Sequence, residues 1–162
     1  MELDLLKDKV GTKTLLILSV SFFVLMLALS LHRFYTFYAS YDQALFEQLF
    51  WNSIHGRFFQ GSLSSGQSVG YLQDGQLHKA FYSHLAQHFV IDFFLWMPIY
   101  ALFPTGATSV VLQVSLITAA GIVIYFLSLH YLPENIALLI SASFYGGNAV
   151  IAPTFANFYE HC

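Results

Sequence analysis

The chain has 162 residues, of which 57% are hydrophobic, 18% aromatic and only 9% charged, against about a quarter charged in soluble domains. That composition excludes a soluble globular protein and predicts an all-α integral membrane protein. A net charge of −3 offers no basic field for nucleic acid, and a single cysteine, Cys162, allows no internal disulfide.

Met1 to Lys13 is polar, with Lys7, Lys9 and Lys13 ahead of the uncharged run from Thr14 to Leu31. The run predicts a first span over 14–34, and the positive-inside rule puts the tail, 1–13, in the cytoplasm. A cleaved signal peptide ending near Ala28-Leu29-Ser30 is the rival reading, but the run exceeds the usual apolar core of about 7–15 residues. His32 to Ala39 is rich in Tyr and Phe, the residues expected at the headgroup level.

A long external loop, 35–106, follows, with a helix predicted over 42–56. Ser40 with Gln43 forms a capping box and Gly56 stops the helix. At about 100° per residue, Leu45, Phe46, Leu49 and Phe50 share one face, while Gln48, Asn52 and His55 share the other. Asp42 falls on the apolar stripe, three and seven residues before Leu45 and Leu49. A carboxylate there is held as an anion by free amides and the helix dipole, yet is partly screened from water. It is either a first-turn cap or a catalytic base or metal ligand.

Gln60 to Gln76 holds four glycines, Gly61, Gly66, Gly70 and Gly75, among serines and glutamines, which predicts a flexible external segment serving as a lid or a linker. A second loop helix is expected over 84–103, where a spacing of four puts His84, His88 and Asp92 on one face, a candidate row of divalent-metal ligands or of water-bound polar groups. Its apolar part, Phe89 to Phe103, reaches roughly 23 Å at about 1.5 Å per residue, short of the ~30 Å hydrocarbon core. Pro98 interrupts it, and Asp92 near the centre of a span would cost about 2.5–3.5 kcal/mol. The helix is therefore read as interfacial or re-entrant.

Ala107 to Leu129 carries no charge, predicting a second span over 107–130 in which Gln113, Ser115 and Thr118 bond to neighbouring helices. A third span is expected over 136–152, with Gly146-Gly147 allowing close helix contact and Pro153 ending it. Residues 153–162 then lie outside. With three crossings, Glu160 and His161 emerge on the side that carries Asp42, His84 and His88; with four they emerge opposite. Three crossings gather the unusual polar groups in one compartment.

The run Tyr41 to Gly56, His88-Phe89 ahead of an apolar stretch ending Met97-Pro98-Ile99-Tyr100-Ala101-Leu102-Phe103-Pro104, and the Glu160-His161 pair after Pro153 resemble a prokaryotic membrane-protein family, domain of unknown function twenty seventy-nine, from about Tyr35 onward. That family resembles membrane glycosyltransferases of the C-type fold, which transfer sugars from polyprenyl-phosphate carriers outside the cytoplasmic membrane. The resemblance implies the N-terminal part of such a fold, three transmembrane helices plus interfacial or re-entrant helices, multi-pass in the cell membrane. It implies Asp42 and Glu160 as catalytic acids, and Gln43, Glu47, His88 and His161 as substrate-binding groups. A divalent cation is an allowed cofactor, and membrane lipids and a polyprenyl-phosphate-linked sugar are the expected partners. Family members run on through further spans, so the chain reads as an N-terminal piece. The alternative is a small non-enzymatic membrane protein with a structural or interaction role.

Overall fold

The structure, a computed structural model, describes residues 9–36, 41–61, 71–73, 75–78, 83–84 and 92–156. In chain order the elements are α1 (Lys9–Tyr35), α2 (Tyr41–Ile54), β1 (Tyr71–Gln73), β2 (Gln76–His78), α3 (Asp92–Leu102), α4 (Gly106–Leu129), α5 (Glu134–Gly146) and α6 (Asn148–Ala156). Three stretches are long and apolar enough to cross a membrane: Gly11–Tyr35, Gly106–Leu129, and Glu134–Phe155 across α5 and α6. This is an all-α membrane protein, the paired strands β1 and β2 being one short antiparallel hairpin. The chain divides into two units.

The first unit holds α1, α4 from Val110, α5 and α6. Its pattern is inverted relative to a soluble bundle. Leu16, Ile17, Leu116, Leu127 and Leu139 point outward, while Ser19, Ser30, Thr118, Ser141 and Thr154 are buried. In lipid there is no hydrophobic drive between helices, so small residues and interhelical hydrogen bonds bring them together. Tyr145 Oη donates to the Thr118 carbonyl at 2.6 Å and lies 3.1 Å from Ser19 Oγ; Ser141 Oγ donates to the Gly121 carbonyl at 2.9 Å. The hydroxyls expected to make such links in α4 do not: Ser115 and Thr118 donate to Val111 and Val114 of their own helix. A hydroxyl in a helix can reach its own fourth preceding carbonyl without a partner helix, so those two are satisfied locally.

Contacts along α1 fix the directions. Leu15 packs with Tyr125 and Ala137; further on, Phe22 and Met26 pack with Val114 and Tyr145. At the far end Ser30 Oγ donates to the Thr154 carbonyl at 3.2 Å and Arg33 Nη1 to the Phe155 carbonyl at 3.1 Å. Thus α1 and the α5–α6 span run parallel and pack directly on each other, with α4 antiparallel to both. The segment joining α1 to α4 leaves and returns at one end of the unit, and α6 finishes at that same end.

Two expectations for the third span are corrected. Pro153 does not end it: α6 continues to Ala156 with Pro153 inside. Proline removes the bond to the Ala149 carbonyl, but Thr154 Oγ1 donates to Val150, and Ser30 and Arg33 satisfy the last carbonyls from α1. The break comes instead at Gly147, extended at φ −70°, ψ 131°. Nor is Gly146 a point of close approach, since a methyl added there would meet nothing within 4 Å. A tight approach is found instead at Gly121, where a methyl would lie 2.2 Å from the Tyr145 ring.

In the second unit α2 packs against α3 through Leu45, Phe46, Leu49, Phe50, Phe59, Phe93 and Tyr100. The rings interlock: Phe93 lies 5.1 Å from both Phe46 and Phe50, and Phe50 stacks on Tyr100 at 5.2 Å. Of the helix expected over 84–103, the described part is α3, Asp92–Leu102. At about 1.5 Å per residue its eleven residues span roughly 16 Å, half the hydrocarbon thickness. Within the segment read as a lid or linker, β1 pairs with β2 around Gly75 at φ +75°, a conformation that glycine adopts without strain.

Candidate functional site

The candidate site is built on α2. Its C-terminus closes as Gly56, at φ +80°, donates to the Ser53 carbonyl at 3.2 Å and Arg57 N to the Asn52 carbonyl at 2.8 Å, the paired bonds of a glycine-terminated helix. The chain then turns back: Ser53 Oγ accepts from Phe59 N at 2.9 Å and Asn52 Nδ2 donates to the Gln60 carbonyl at 2.7 Å. These bonds hold Phe59 at φ +50°, costly for a non-glycine residue, with its ring wholly buried under α3. Asn52, expected on a free polar face, therefore serves the fold.

At the other end of α2, Asp42 lies half-buried in the first turn. Gln43 beside it is buried. Glu47, one turn on, has a definite partner: its Oε1 accepts from Gly106 N at 3.0 Å. That carboxylate occupies the positive end of α4, so Glu47 helps to position the start of a membrane span.

Tyr100 faces the same region. Its hydroxyl is buried and has no hydrogen-bond partner among the described residues. Burial, and secondarily the Glu47 carboxylate, push it up to about 12. Between the ordinary value near 10 and 12, the folded unit keeps a proton that the unfolded chain has released. Stability from this group is therefore complete below pH 10 and is lost as pH rises toward 12. Glu47→Gln removes the smaller cause, so a near-ultraviolet tyrosinate titration, taken as the difference from Tyr100→Phe, should show Tyr100 ionising at lower pH than in the unaltered protein. An unchanged midpoint would mean that the Glu47 charge does not reach the phenol.

His84 stands outside α3. It is buried, its N–H donates to the Phe59 carbonyl at 2.8 Å, and its ring meets Phe46 edge-on at 6.0 Å. The isolated Gln60–Ser83 bridge lies beside it; of the row expected from His84, His88 and Asp92, only His84 has a described side chain. His88, Glu160, His161, Ser40 and the side chain of Asp92 lie outside the described residues. Among the described residues no cluster of three or more His, Cys, Asp or Glu is placed to hold a metal. Sequence reasoning left Arg33 unplaced. In the first unit its guanidinium closes the C-terminus of α6 and lies 5.3 Å from the Phe155 ring centre; a cation in the last turn of α1 opposite a parallel helix end was the available signal.

A family model described as predicted membrane protein (DUF2079) matches residues 33–162, well over half of the chain. The chain belongs to the DUF2079 family. No curated protein and no solved structure matches it. The DUF2079 match begins at Arg33, takes in the whole of α2 and α3, and includes Asp42, Gln43 and Glu47 as well as both later spans.

Proposed function

We propose that this DUF2079 chain forms part of a membrane glycosyltransferase that draws its sugar from a polyprenyl-phosphate carrier outside the cytoplasmic membrane. Asp42 takes the proton of the acceptor hydroxyl as that oxygen bonds to the anomeric carbon. The bond from that carbon to the phosphate oxygen breaks, and polyprenyl phosphate leaves. Glu160 is the second acid. His88 and His161, with Gln43 and Glu47, bind and orient the sugar phosphate. A divalent cation would supply charge neutralisation at the phosphate.

The observation that supports this reading is the common end of α1 and α6 in the first unit, where Ser30 and Arg33 meet Thr154 and Phe155. The segment that leads to Asp42 and the one that leads to Glu160 set out from one side. The test is transfer from labelled polyprenyl-phosphate sugar in membranes carrying the protein in its natural reading frame. Asp42→Asn should lower transfer about a hundredfold or more without altering thermal unfolding, and unchanged transfer overturns the role of Asp42. In a Cys162→Ser background, Glu160→Cys should react with an impermeant maleimide from outside; labelling only after permeabilisation overturns the shared compartment.

A further inference from the structure

One face of α3 carries the aromatic core of the second unit; the other is bare. Leu95, Ile99, Leu102 and Phe103, spaced at four, seven and eight residues, are 72%, 41%, 75% and 66% exposed. Phe94 extends the face to the exposed Phe58, its ring 6.0 Å away. No residue from Phe93 to Phe103 is charged. A contiguous apolar face of this kind marks a membrane or interaction surface rather than one meant for water.

The fold indicates what covers it. Only Pro104 and Thr105 separate this face from Gly106, the first residue of a membrane span. The joint is fixed, since Phe103's carbonyl accepts from Thr105 N and from Thr108 Oγ1, and Glu47 holds Gly106 N. Yet α3 is too short to cross.

We propose that α3 lies flat in the membrane interface, with Leu95, Ile99, Leu102 and Phe103 against the acyl chains. The occupant of this face is the lipid bilayer itself. Interfacial helices bury such a face about 5–10 Å into the headgroup and acyl boundary. Exposed Arg57, next to Phe58, supplies a cation at the rim for lipid phosphate. Because α2 packs on the opposite face of α3, its axis then rides about one helix diameter, ~10 Å, above the acyl boundary. Under the proposed function that is the height at which Asp42 would meet a lipid-linked phosphate; the docking of α3 does not depend on that reading.

The test uses the full chain in phosphatidylcholine nanodiscs, with Cys162→Ser as background and Leu95→Cys, Leu102→Cys or Phe103→Cys carrying a bimane label. Each site is exposed, so labelling leaves the core intact, which circular dichroism verifies. Lipid-borne doxyl groups at the fifth acyl carbon should quench all three labels about twofold more strongly than groups at the twelfth, as befits a shallow helix. Quenching chiefly by aqueous iodide would mean a solvent face. No quenching from either side would mean a protein cover, and stronger quenching at the twelfth carbon a deep re-entry. Each of those three results overturns the proposal.

Discussion

Phe93→Ala should cost the second unit about 3–5 kcal/mol, the upper range for removing a fully buried aromatic ring. Phe93 is 1% exposed and meets the rings of Phe46 and Phe50 at 5.1 Å, Phe59 at 6.1 Å and Trp96 at 6.2 Å. Its deletion opens a cavity walled by rigid rings, and a wall of rings collapses poorly because each is held by other partners. Phe50 is stacked on Tyr100, and Phe59 is pinned through its N–H by Ser53. Leu95→Ala on the same helix, where the side chain is mostly exposed, should cost under about 1 kcal/mol in detergent. Denaturant unfolding, with protease resistance of α2 as a second readout, separates the two. Equal effects would mean that α3 does not bury the Phe93 face.

Gly121→Leu should destabilise the first unit by about 3 kcal/mol, combining the usual cost of overpacking with lost interhelical bonds. Its Cβ would fall 2.2 Å from Tyr145 Cζ and 2.5 Å from the hydroxyl. The ring cannot step aside, for Phe22 lies against it at 4.7 Å and its hydroxyl is engaged with Thr118 and Ser19. Gly146→Ala, which meets nothing, should be close to neutral. Thermal unfolding in detergent ranks the pair, and a larger loss at Gly146 would refute the packing of α4 on α5.

The contrast between those glycines shows what a single sequence reveals and what it hides. Gly146-Gly147 stands out as a doublet in an apolar run, whereas Gly121 is one small residue among many, made critical by a tyrosine twenty-four positions later. The spans themselves were legible because unbroken apolar runs need no tertiary information. The buried face of α2 was legible too: Leu45, Phe46, Leu49 and Phe50 lie where helical period puts them, and Gly56 stops the helix. The continuation of α6 through Pro153 was not, since it relies on Ser30 and Arg33, more than a hundred residues earlier in the chain. The hairpin around Gly75 had a signal in Asp74-Gly75 between Leu72 and Leu77, masked by the surrounding glycines and serines. For the candidate site, Asp42 was correctly expected to be partly buried at a helix start. The bond from Glu47 to Gly106 links residues fifty-nine apart, beyond any local pattern.

The discontinuity at Gly147 has a mechanical corollary. On one side of it Tyr145 is bonded to both α4 and α1, and on the other Thr154 and Phe155 are bonded to α1. Because Gly147 is extended, a change of angle between α5 and α6 falls on a single residue's two backbone torsions rather than as bending spread along the whole third span. The third span is thus two stiff pieces joined at one swivel.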